Sequence, residues 1–171
     1  IEGSRMSQEK EKKGAANSSG DLEEKVLYIN RCSKVVKGGR KFSFSALILV
    51  GDYAGRVGFG FAKANELSDA IRKGGELARK GLLKVVMDKG TIPHEAQVKW
   101  DGSLVFMKPA PEGAGVVAGS KVRAILEMAG VKNVVAKTHG SSNPLNQVRA
   151  TFKALQTLRK REELIQQRGL A

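Results

Sequence analysis

Two small α+β units in tandem are what this sequence predicts: a three-stranded antiparallel sheet with one helix over residues 21–90, then a β-α-β-α layer over residues 91–171. Three observations carry that prediction. Apolar residues recur at period two in successive runs between residues 25 and 63, then at helical spacing from residue 67. A breaker containing Gly90 and Pro93 interrupts the pattern, which places a boundary near residue 90. Beyond it, strand-like runs alternate with two helical stripes. A chain of 171 residues has room for one ordinary domain or two small ones.

The first strand starts at Lys25, with Leu27, Ile29 and Arg31 on one side and Val26, Tyr28, Asn30 and Cys32 on the other, and runs to about Val36. Lys37-Gly38-Gly39-Arg40 is turn chemistry, since paired glycines supply positive φ angles. Phe42, Phe44, Ala46, Ile48 and Val50 form the second strand, and a turn over residues 52–55 leads to a third at residues 56–63. Asn65 is the expected cap of a helix whose stripe is Leu67, Ala70, Ile71, Leu77, Ala78 and Leu82. Gly74 and Gly75 weaken this helix by about 1 kcal/mol each, so they mark either a close approach to the sheet or a bend.

In the second unit, strands at residues 97–100 and 103–107 flank Asp101-Gly102, a strong hairpin signal. Pro109 and Pro111, with Gly113, Gly115 and Gly119, make residues 109–119 an irregular loop. Ser120 opens a helix that Gly130 ends as a left-handed C-cap, and residues 131–137 form a strand. Asn143-Pro144 supplies a cap and first-turn proline for a last helix buried through Leu145, Val148, Phe152, Leu155 and Leu158, with residues 159–168 exposed. At the other end, residues 1–5 precede a Met6 that reads as a natural start and resemble a cloning remnant, and residues 7–20 have the composition of a disordered arm.

Composition narrows the function. Thirty Lys plus Arg against 17 Asp plus Glu give a net charge of +13, which favours a polyanionic partner, nucleic acid ahead of an anionic membrane. No apolar run approaches the roughly 18 residues of a membrane span, and no secretory signal follows Met6, so a soluble cytoplasmic chain is expected. The lone Cys32 cannot form an internal disulfide. Enzymatic hardware is missing: His94-Glu95 lacks the second His of a zinc helix, His139 has no acid nearby in sequence, and no Walker A motif occurs. The expectation is a non-enzyme with no cofactor and no metal.

The sharpest motif is the basic hairpin at residues 31–41. Arg31, Lys34, Lys37, Arg40 and Lys41 surround two glycines, and no acid occurs between Lys25 and Gly51. Unneutralised cations on a projecting loop repel one another until an anion arrives, which predicts contact with RNA phosphate. Gly58-Phe59-Gly60-Phe61 echoes the aromatic core of an RNA-recognition motif. Val57 replaces its basic residue and a hairpin replaces its first helix, so both phenylalanines are expected in the core. Gly113-Ala114-Gly115-Val116-Val117-Ala118 fits a dinucleotide fingerprint. Prolines interrupt the preceding strand and no acid ends the following one, so a tight loop against a partner is expected instead.

Taken together, Val35-Val36-Lys37-Gly38-Gly39-Arg40, Val57-Gly58-Phe59-Gly60, Glu112-Gly113-Ala114-Gly115 with Ala118-Gly119, and Gly140-Ser141-Ser142-Asn143-Pro144 resemble the ribosomal protein S-five family of the bacterial small subunit, over about residues 22–161. The resemblance implies a first domain like the double-stranded-RNA-binding fold and a second with a left-handed crossover. It implies a monomer outside the ribosome that binds small-subunit ribosomal RNA between head and body, and supports assembly and translational accuracy. Ribosomal proteins four and eight would be its neighbours, and messenger RNA would pass near it at the entry channel. Carried over by position, Arg31, Ser33, Lys34, Lys37, Gly38, Gly39, Arg40, Lys41, Arg56 and Lys63 would contact ribosomal RNA. Glu112, Gly113, Gly115, Gly119 and Arg123 would face protein four. Two rivals stand beside this reading: a free-standing duplex-RNA-binding module, and a small kinase-like enzyme, against which the missing phosphate loop argues.

Overall fold

The computed structural model describes residues 22–160 and 165–169, and eight strands and three helices follow one another within residues 22–160. The expected remnant and arm at residues 1–20 lie outside the described residues, as does part of the expected tail.

The first sheet contains β1 (Glu23–Val36), β2 (Gly39–Gly51), β3 (Arg56–Ala64) and β4 (Leu83–Lys84), in that order and all antiparallel. The two-residue β4 pairs Arg56↔Lys84 and Val57↔Leu83, and so adds a short edge to the three strands expected. The register of β1 on β2 slips between Val26 and Tyr28, leaving Leu27 as a bulge. The simple alternation expected for β1 therefore breaks there, because an extra residue switches the side chains that follow to the opposite face.

Helix α1 (Leu67–Lys80) covers one face of this sheet. Its N-cap is Glu66, not the expected Asn65, and no side chain caps it. The buried positions are Ala70, Gly74, Gly75 and Ala78, whereas Leu77 is 48% exposed and Leu67 is exposed as well. The expected leucine stripe is thus wrong at both positions. The glycines decide it: a Cβ added at Gly60 would overlap the Gly74 carbonyl oxygen, and one at Gly74 would stand 2.9 Å from Ile48 Cδ1. Helix and sheet approach so closely that only small residues fit between them, and the larger leucines turn outward.

The second sheet orders β5 (Ala96–Trp100), β6 (Ser103–Pro109), β8 (Val134–Gly140) and β7 (Val116–Val117). β5, β6 and β8 run antiparallel, and β7 lies parallel to β8. β7 emerges within the loop expected to be irregular. β8 starts at Val134 rather than Val131, because the Val131 N–H is engaged in capping the end of helix α2 (Ser120–Met128). There the Gly130 N–H donates to the Glu127 carbonyl and the Val131 N–H to the Leu126 carbonyl, with Gly130 at φ 86°, the paired bonds of a Schellman cap. Helix α3 (Pro144–Thr157) starts as the sequence predicts, with Asn143 Oδ1 accepting the Leu145 N–H at 3.2 Å. Val148, Phe152 and Leu155 are buried in it.

One hydrophobic core crosses both halves. Leu47, Leu49, Val57 and Val85 join Ile92, Val105, Met107, Ile125, Met128, Phe152 and Leu155 in a single cluster. A smaller cluster, Ala46 with Ile48 and Ala70, lies under α1. β2 is consequently buried on both faces from Ser45 to Gly51, where the period-two pattern predicts only one apolar face.

Candidate nucleic-acid interface

The hairpin β1–β2 outgrows its sheet. β3 pairs with β2 only from Phe44 to Gly51, so the register pairs from Cys32↔Ser43 to Val36↔Gly39 form a two-stranded extension. At about 3.3 Å per residue it projects roughly 15 Å. Directly opposed residues share a face. Lys34 and Lys41 form one pair, and Arg40 stands opposite Val35 on the other face. Arg31, Lys34, Lys37, Arg40 and Lys41 are all exposed, and none joins an ion pair among the described residues. Ser33, Gly38 and Gly39 are exposed too, with nothing within 4 Å of where a Cβ at either glycine would sit. The Arg31 guanidinium lies 4.6 Å from the centroid of the Phe42 ring, a cation–π contact that holds its charge above the strand.

Lys63 and Arg56 occupy opposite ends of β3. Lys63 pairs with Ser45 near the base of the extension, and its Nζ stands 5.8 Å from the Phe61 ring centroid. Arg56 lies beside the far turn, where its Nε donates to Asp52 Oδ2 at 2.6 Å. Burial raises the Asp52 pKa, but hydrogen bonds from the Arg56 side chain and from the Arg56 and Ala54 N–H groups, with the Arg56 charge, outweigh it and hold it below the ordinary carboxylate value. The structure therefore gathers Lys63 with the basic hairpin and leaves Arg56 apart, its charge engaged.

Glu112, Gly113, Gly115, Gly119 and Arg123 fall on the loop from β6 to α2 and on the first turn of that helix. Asn133, buried and not singled out in the sequence, pins this loop. Its Oδ1 accepts the N–H of Gly113 at 3.2 Å and of Gly115 at 3.1 Å. The backbone donors that a dinucleotide fingerprint would aim at a pyrophosphate are thus already taken. Gly119 and Arg123 line a shallow depression of about 300 Å³ together with Val117, Ala118, Ala136, Lys137 and Thr138.

A larger cleft opens on the sheet face opposite α1. It has a volume of about 630 Å³ and is lined by Tyr28, Asn30, Ser45, Leu47 and Phe61 from the first sheet, and by Lys121 and residues 142–145 from the second half. The expectation that Phe59 and Phe61 are both core holds for only one of them. Phe59 packs on Phe152, while Phe61 is 36% exposed in the cleft. The intervening glycines face α1, where Cβ atoms at Gly58 and Gly60 would meet helix backbone. Neither Tyr28 nor Lys121 is marked by any sequence motif.

Comparison with known proteins agrees with this architecture along nearly the whole described chain. A family model described as ribosomal protein S5, N-terminal domain, matches residues 22–86, and one described as ribosomal protein S5, C-terminal domain, matches residues 98–168. The small ribosomal subunit protein uS5 of Protochlamydia amoebophila is 65% identical over 95% of this chain and 97% of its own length. The proteins of the same description from Chlamydia caviae and Chlamydia pneumoniae are 64% and 62% identical, covering 90% and 91% of this chain and 93% and 94% of theirs. With two family models and relatives of this likeness, the chain belongs to the ribosomal protein S5 family.

Proposed function

We propose that this chain is a non-catalytic structural constituent of the small ribosomal subunit that docks the β1–β2 hairpin onto ribosomal RNA between head and body. The observation that carries the proposal is the group of five exposed cations on the β1–β2 hairpin, Arg31 at the base of the two-stranded extension and Lys34, Lys37, Arg40 and Lys41 on it and its turn, with no acid among them and, among the described residues, no ion pair. Such a group gains by releasing the counterions of a nucleic-acid backbone. Ser33 and the backbone at Gly38 and Gly39 add neutral hydrogen-bond donors to the same phosphates. Lys63 extends the contact along the sheet, and Arg56 reaches RNA only from the far turn.

Residues 21–90 act as a unit like a double-stranded-RNA-binding domain and residues 91–171 as a second unit with a left-handed β7–α2–β8 connection. The surface of Glu112, Gly113, Gly115, Gly119 and Arg123 meets ribosomal protein four and bears on decoding accuracy. The end of the chain meets protein eight, and messenger RNA passes nearby at the entry channel. The chain works in cytoplasmic ribosomes, as a monomer until it assembles, and without a cofactor. The family membership and the names of the relatives support placing it in the small subunit.

The test is a binding assay of the full chain against folded small-subunit ribosomal RNA and against an arbitrary RNA duplex, across a salt series. Tight binding to the first and weak binding to the second is the expected result. Equal affinity for both would instead make the chain a free-standing duplex-RNA module.

A further inference from the structure

The geometry points to a second RNA site: the cleft beneath β1–β3 takes one unstacked nucleotide, its base against Phe61 and Tyr28 and its phosphate toward Lys63 and Lys121. This rests on the RNA-binding reading above and goes beyond the hairpin. Tyr28, Leu47 and Phe61 form one cross-strand row, and Asn30, Ser45 and Lys63 form the next. Two steps farther along the same face lie Lys34 and Lys41, at roughly 3.3 Å per residue about 20 Å from the aromatic row. A strand of RNA held by the hairpin is thereby led toward the cleft.

Tyr28 is 43% exposed and Phe61 36%, with Leu47 as a buried floor between them. Two partly bare aromatic rings beside an apolar floor suit the π-face of any base, and stacking of that kind favours an unpaired nucleotide over a duplex. Lys121 and Lys63 bring positive charge, and among the described residues no acid lines the cleft. A volume of about 630 Å³ is in the range of small-ligand sites. Asn30 and Ser142 offer side-chain donors and acceptors that make no hydrogen bond within the described chain, so a base edge can be read there as well as stacked upon.

The experiment uses the full chain with folded small-subunit ribosomal RNA. Ultraviolet crosslinking of the unmodified protein, followed by mass spectrometry, is expected to find ribonucleotide adducts on peptides containing Tyr28 or Phe61. Phe61→Leu keeps the apolar bulk at a partly exposed position and removes the ring's π-face. It is expected to weaken binding about tenfold with no change in salt slope, since stacking releases no counterions. Unchanged affinity together with adducts confined to the hairpin would overturn the cleft site while leaving the hairpin reading standing. An amine-reactive crosslink from Lys121 to another ribosomal protein in intact subunits, with no adduct in the cleft, would overturn it in favour of a protein occupant. If the unmodified chain bound no RNA at all, both readings would fall.

Discussion

The ring of Phe59 in β3 lies against the ring of Phe152 in α3, with centroids 4.6 Å apart and planes at 54°. This pair joins the two halves that the sequence separates. The Tyr53 N–H also donates to the Met128 carbonyl at 3.0 Å and the Gly55 N–H to the Ala129 carbonyl at 3.0 Å, so the β2–β3 turn closes the end of α2. A shared core and shared backbone bonds make separate unfolding of either half costly. Phe152→Ala is expected to destabilise the chain by roughly 3–5 kcal/mol. Trp100, the one tryptophan, sits in the second half, so its fluorescence and far-UV circular dichroism should trace one coincident denaturant transition before and after substitution. Two resolved transitions would contradict this.

Gly60→Ala should be among the most damaging single-methyl changes in the chain. The added Cβ would meet the Gly74 carbonyl and stand 2.8 Å from the Ala78 nitrogen, both backbone atoms that cannot rotate away. A destabilisation of roughly 3 kcal/mol is expected. Gly119→Ala adds the same methyl where nothing lies within 4 Å, at φ −62°, and should change stability by less than about 0.5 kcal/mol. Thermal unfolding of the two variants checks the contrast.

Asn133→Ala should loosen the loop that meets α2. Removing Oδ1 leaves the Gly113 and Gly115 N–H groups without their acceptor, at a cost of about 1–3 kcal/mol. Amide hydrogen exchange at those glycines should accelerate, while exchange in β2 stays slow. Asn133→Asp keeps an acceptor oxygen and should restore much of the protection.

Asp52 gives the fold a pH dependence of definite sign. Its side chain is 4% exposed and its proton affinity is lowered in the folded chain, so its contribution is present above the unfolded carboxyl value of about 3.9 and disappears as pH falls through the lower folded value. Asp52→Asn should therefore cost about 1–2 kcal/mol at neutral pH, with the difference from the parent chain shrinking below about pH 4. Denaturant titrations at pH 7 and pH 3 measure this. A difference undiminished at pH 3 would show that the charge contributes nothing.

The parts of this fold legible in the sequence are those written in local periodicity or local chemistry. β2 and β3 repeat at period two, Asn143-Pro144 carries its own cap, and Gly130 its own stop. What escapes depends on distant partners. β4 and β7 are two residues each and exist only because β3 and β8 present free edges to them. Leu67 and Leu77 look like core until Gly60 and Gly74 bring helix and sheet too close for them. The site divides the same way. The hairpin cations are neighbours along the chain, so composition alone finds them. The cleft is assembled from Tyr28, Phe61 and Lys121, which only the packing of the two halves brings together.

Counterion release at the hairpin is the central claim, and the salt dependence of RNA binding tests it most directly. Lys37→Ala with Arg40→Ala alters two exposed side chains that lie outside the core, so folding is expected to be unchanged. Against folded small-subunit ribosomal RNA, the slope of log affinity on log salt should fall in magnitude by roughly 0.7–0.9 for each phosphate no longer neutralised. An unchanged slope in the double variant would remove the hairpin from the interface.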